Sequence, residues 1–73
     1  MISAAAQEAF YEGKRSDALP LAVNDVVTVK AGDKSGAPAW VISLEEEAPE
    51  PKYLVEYEDG SDEILPLGIL VRR

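Results

Sequence analysis

The strongest alternation of hydrophobic and polar positions runs through residues 52–66, Lys-Tyr-Leu-Val-Glu-Tyr-Glu-Asp-Gly-Ser-Asp-Glu-Ile-Leu-Pro. Tyr53, Val55 and Tyr57 alternate with Leu54, Glu56 and Glu58, a period of two that sends aromatic and β-branched side chains to one strand face and charge largely to the other. Asp59-Gly60 follows. Because both residues accept positive φ, the pair predicts a type I′ turn, whose twist suits paired strands, with the return strand at Ser61–Leu65.

Upstream, turn-forming Asn24-Asp25 precedes the β-branched run Val26-Val27-Thr28-Val29, with Val27 and Val29 on one face. The next strand is expected at Ala39–Leu44, with Trp40, Ile42 and Leu44 on one face and Ala39, Val41 and Ser43 on the other. Apolar residues on both faces imply cover on both, by the barrel core and by a helix or a subunit contact. Ala31–Pro38 reads as a long first loop, and Glu45–Pro51, acidic and twice broken by proline, as a solvated loop rather than strand. Pro66 opens a short turn to a last strand at Leu70–Arg73. Ser3–Glu12 predicts a helix, with Ser3 as N-cap, Gly13 in the left-handed cap position, and Ile2, Ala6, Ala9 and Phe10 on one stripe. So short a helix is marginal alone and must dock onto something.

The order of these elements is that of an SH3-like barrel: long first loop, distal acidic loop, tight hairpin, short turn. The expected fold is mainly β, a small five-stranded SH3-like barrel (residues 21–73) with a short N-terminal helix and linker (residues 1–20). Its expected core is Val27, Val29, Val41, Leu54 or Val55, Ile64, Leu67 and Leu70. A one-residue change of register exchanges the two faces of a strand.

Composition narrows the chemistry. A chain of 73 residues forms one small core, and with no cysteine or histidine it has no disulfide, thiolate-metal or imidazole chemistry. No nucleophile–base pair and no cofactor motif is visible, so neither a catalytic residue nor a cofactor is expected. Gly32 and Gly36 lack the Gly-Lys-Ser/Thr ending and the helix of a phosphate cradle. Asp59 and Asp62 flank a tight turn, but a dedicated metal site is not expected. The formal net charge is −7, and nine of the fourteen acidic residues lie in residues 45–73. That field opposes nucleic-acid binding, which needs cations against phosphate. It serves solubility, or it attracts a basic partner. Ile2–Phe10 is too short and too polar for a membrane span, and a cytoplasmic location is expected.

Two resemblances sharpen these readings. The run Tyr53-Leu-Val-Glu-Tyr-Glu-Asp-Gly-Ser-Asp-Glu, with Trp40 in the preceding strand, resembles Tudor and Agenet-type domains. In that family an aromatic cage holds a methylated lysine or arginine by cation–π attraction. The resemblance implies cage candidates Trp40, Tyr53 and Tyr57, with Glu56, Asp59 or Asp62 as the anionic partner. A plainer reading makes Tyr53 and Tyr57 core residues with wet hydroxyls.

From Asn24 onward the chain also resembles the plasmid-borne type II dihydrofolate reductases, homotetrameric small barrels with one active-site pore. Lys34-Ser35-Gly36-Ala37 followed by Trp40, and Ser61-Asp-Glu-Ile-Leu-Pro-Leu-Gly-Ile-Leu-Val-Arg, carry that likeness. It implies pore positions at Ser61, Glu63 and Ile64. Asp62-Glu63-Ile64-Leu65 stands where that family has Val-Gln-Ile-Tyr, and acidic residues converging on one axis repel a phosphate-bearing cofactor, so no reductase activity is expected. The expectation is therefore a small non-catalytic binding module that recognises a basic peptide or protein surface through the hairpin. The alternative is an oligomeric ligand-binding relative of the reductases. Self-association is expected to be open to either, as a way to add buried area to a small core.

Overall fold

The computed structural model describes residues 2–73. The chain is mainly β, with five antiparallel strands in one sheet and one short N-terminal helix. The elements are α1 (Ala4–Tyr11), β1 (Val26–Val29), β2 (Pro38–Glu46), β3 (Lys52–Tyr57), β4 (Asp62–Pro66), a 3-10 turn (Leu67–Ile69) and β5 (Leu70–Arg72). The sheet runs β4-β3-β2-β1-β5, with β4 and β5 at its two edges.

Helix α1 ends as its sequence dictates. The Ser3 hydroxyl accepts the Ala6 amide at 3.1 Å, satisfying a first-turn donor. At the other end Gly13 takes φ 76°, so that Lys14 donates its amide to the Ala9 carbonyl and Gly13 donates to Phe10. The helix buries Ala6 and Phe10 against the open end of the sheet, where Phe10 stacks at 6.1 Å from Tyr53 beside Leu21 and Leu44. It therefore belongs to the same core as the strands and leaves the outer face of β2 uncovered.

The core consists of Val27, Val29, Ala39, Val41, Leu44, Tyr53, Val55, Tyr57, Leu65 and Leu70, with Ala6, Phe10 and Leu21. Three expectations are corrected. Leu44 faces inward, not with Trp40 and Ile42, because a bulge between Val41 and Ser43 shifts the alternation before it reaches Leu44. Strand β3 turns Tyr53, Val55 and Tyr57 inward. Its pairing of Tyr53 with Leu65 then puts Leu65 in the core and leaves Ile64 outside, 53% exposed. The hairpin is not a type I′ turn. Tyr57 accepts the Gly60 amide and donates its own to Ser61, and of the pair only Gly60 has positive φ, so the loop is Glu58-Asp59-Gly60 with a glycine bulge.

The loop after β2 is also more engaged than a solvated loop. Strand β2 extends to Glu46, Glu47 accepts the Ser3 amide at 2.9 Å, Glu46 pairs with Lys52 at 3.6 Å, and Glu50 accepts the Gly68 amide at 3.2 Å. These carboxylates tie the loop to the helix, to β3 and to the 3-10 turn. No helix among the described residues is long and apolar enough to cross a membrane.

Candidate functional site

Alternation on β2 and β3 builds the site. With Ala39 and Val41 turned inward, Trp40 and Ile42 must project outward, and both remain 36% exposed. The register places Val26, Trp40, Glu56 and Asp62 in one row across β1, β2, β3 and β4. Leu54 and Ile64 pair in the next row on the same face. At the hairpin end of this face an open concavity of about 700 Å³ is lined by Asn24, Trp40, Ile42, Glu56, Tyr57, Glu58 and Gly60. Its walls carry two carboxylates and no cation.

The acidic residues of the hairpin half divide into two sets. Glu45, Glu46, Glu47, Glu50, Asp59 and Glu63 have partners within the chain, Glu45 accepting the Ser43 hydroxyl. Glu56, Glu58 and Asp62 are exposed, and none takes part in an ion pair or a side-chain hydrogen bond among the described residues. All three lie on or beside the Trp40 face. Lys52, at the far end of β3, is paired with Glu46, and Arg73, beside Val26 at the β5 end of the row, donates to the Thr28 hydroxyl.

The tyrosines expected to form a cage with Trp40 lie elsewhere. Tyr53 is fully buried in the core, and its hydroxyl has no partner at hydrogen-bond geometry, the Leu21 backbone offering only a weaker contact. Burial pushes its pKa up. Tyr57 is also inward, but at the hairpin end its hydroxyl donates to Glu63 at 2.7 Å. Burial, then the hydrogen bond and charge of Glu63, push Tyr57 up to about 12. The Tyr57 ring is covered by Lys34, whose Nζ lies 4.9 Å from the ring centroid and 3.2 Å from Asp59. Asp59 accepts the Ser61 hydroxyl at 2.6 Å and the Ser61 amide at 2.9 Å, and these bonds with Lys34 bring it down to about 2.

Of the sequence-predicted residues, then, Trp40, Glu56 and Asp62 share one face, with Tyr57 at its border. Tyr53 is separated from them by the sheet, and Asp59 is occupied by Lys34. Ser61, Glu63 and Ile64 do not share a surface within one chain: Ser61 holds Asp59, Glu63 holds Tyr57, and Ile64 stands on the outer face. Among the described residues no cluster of three or more acidic, histidine or cysteine side chains could hold a metal ion.

Sequence reasoning missed Asn24 and Ile42 as lining residues. Asn24 adopts φ 67°, and its turn-forming character was the available signal. It also missed the pair beside them. Asp25 is buried, accepts the Ala22 amide at 2.8 Å and forms an ion pair with Arg15. Burial works against its charge, but Arg15, the Ala22 amide and Arg72 outweigh burial and hold Asp25 below the usual carboxylate range. This is structural chemistry. It ties the linker to the turn before β1. Comparison with protein-family models, with curated proteins and with solved structures gave no match for this chain.

Proposed function

We propose that the chain is a small non-catalytic binding module whose outer β2–β3 face meets a basic peptide or a basic protein surface. One observation carries the reading: the exposed Trp40 and Ile42 adjoin Glu56, Glu58 and Asp62, the hairpin-half carboxylates with neither an ion-pair nor a side-chain hydrogen-bond partner among the described residues. An apolar floor with an acidic border complements a lysine- or arginine-bearing surface in both area and charge. An aromatic face beside carboxylates attracts an ammonium or guanidinium by about 0.5–1 kcal/mol at an exposed site, and by about 2 kcal/mol when water is excluded. A second copy of the chain brings like charge to the same border, at −7 per copy. The absence of a closed aromatic cage supports recognition of a surface or an extended segment rather than capture of one side chain.

Calorimetric titration with a lysine-rich peptide at low and moderate salt tests this. Binding should weaken as salt rises, and the triple variant Glu56→Gln, Glu58→Gln, Asp62→Asn should lower affinity at least tenfold while unfolding no more readily than the parent. Equal affinity of parent and triple variant contradicts the reading.

A further inference from the structure

Strand β4 is an edge, and the hydrogen-bond alternation of its ladder fixes which of its backbone groups are free. Tyr57 donates its amide to Ser61 at one end of the β3–β4 ladder, and Leu67 donates to Pro51 at the other. Both pairs belong to one antiparallel register, in which Val55 faces Glu63 and Tyr53 faces Leu65. Bonded and non-bonded pairs alternate in such a ladder, so Ser61, Glu63, Leu65 and Leu67 are bonded to β3. The amides of Asp62 and Ile64, and the carbonyls of Asp62, Ile64 and Pro66, therefore point away from β3. Strand order leaves that side without a neighbouring strand.

The same residues carry exposed side chains on the outer face. Asp62 stands across from Glu56, and Ile64 across from Leu54, continuing the Trp40–Ile42 face to the edge. A row of free amides and carbonyls beside an apolar and acidic strip accepts an added strand, with backbone bonds providing affinity and alternate side chains providing selection. We infer that an extended basic segment adds as a sixth strand to β4, placing a cationic side chain beside Asp62 and Glu56 and an apolar one beside Ile64. This rests on the proposed recognition of a basic partner and specifies its mode. A second copy is the poorer occupant: pairing two β4 strands brings both copies' Asp62 and Glu63 into one short ladder and joins two chains of net charge −7.

Backbone methylation of the probe tests the edge without altering the protein. The probe is the peptide acetyl-Lys-Thr-Val-Thr-Lys-Thr-Val-amide, whose lysines and valines share one strand face, compared with one copy N-methylated at its lysines and valines and another at its threonines. Only one alternate set of peptide amides faces β4, so one methylated peptide should bind about tenfold or more weakly and the other close to the parent. The amide signals of Asp62 and Ile64 should move downfield and exchange more slowly in the complex. If both methylated peptides bind like the parent and only Trp40 and Ile42 signals move, strand addition fails and face binding stands. If the parent peptide does not bind, both readings fail. Concentration-dependent dimerisation with protection of Asp62 and Ile64 in the absence of peptide also overturns the inference, since the edge is then taken by a second copy.

Discussion

Tyr53 and Tyr57 stand on the same inner face of β3, yet the two ends of the sheet that they close are made of opposite materials. At the Tyr53 end helix α1 lies over the opening, and Phe10, Leu21 and Leu44 pack the ring so fully that its hydroxyl is buried without a partner. At the Tyr57 end no helix arrives. The ring is covered instead by the Lys34 ammonium, which bridges to Asp59, and the hydroxyl is held by Glu63. Apolar closure is non-directional and scales with area removed from water, whereas exposed ion pairs contribute little. The helix end therefore holds the fold together. The hairpin end carries charge at little cost to stability, and the acidic concavity lies beside it.

The largest expected effect comes from opening the helix end. Phe10→Ala removes its anchor and should lower unfolding free energy by about 3–5 kcal/mol, most of what a domain of this size possesses. Urea denaturation would show it, and a loss below about 1 kcal/mol would mean that the helix is not part of the core. Next is the linker ion pair. Arg15→Ala leaves Asp25 buried without its cation and should lower stability at neutral pH by less than the Phe10 variant does. Asp25 has a folded pKa below its unfolded value, so its contribution is present above the ordinary carboxylate range and is lost as pH falls through the folded value. The difference between parent and Arg15→Ala should accordingly shrink on acidification.

The two tyrosines sharpen the contrast directly. Tyr57→Phe removes a hydroxyl that donates to Glu63 and should cost about 1 kcal/mol. Tyr53→Phe removes a buried hydroxyl with no partner and should leave stability unchanged or raise it. Equal losses at both positions would erase the distinction between the ends. The smallest expected effect is at Lys34. Its pair with Asp59 is exposed, so Lys34→Ala should change stability by less than about 1 kcal/mol. Carboxylate NMR titration should find Asp59 near 2 in the parent, held there mainly by Ser61, and only modestly higher in the variant.

Much of this architecture was legible in the chain. Period-two alternation at residues 52–57 marked β3 and its pairing with β4, and Ser3 and Gly13 marked the helix ends, because caps and pleats depend on local residue types. Which face of β3 turned inward was not legible, since Leu54 and Val55 are both apolar and only packing against Phe10 decides between them. The β2 bulge that carries Leu44 inward left no mark in a run apolar on both faces. The candidate site was half legible. Trp40, Glu56 and Asp62 were placed together by strand register. Tyr53 was not, because a tyrosine in a cage and a tyrosine in a core look alike in sequence. The use of Glu47 and Glu50 as latches was hidden for a different reason: their amide partners lie 44 and 18 residues away.

Trp40 is the chain's single tryptophan, so its fluorescence reports on the outer face alone. The most direct measurement is a titration of that fluorescence with a lysine-rich peptide free of aromatic residues, repeated on the Glu56→Gln, Glu58→Gln, Asp62→Asn variant. A saturable change in the parent that weakens with salt and is lost in the variant is the predicted result. No change in the parent, or the same change in both proteins, would contradict recognition of a basic partner by this face.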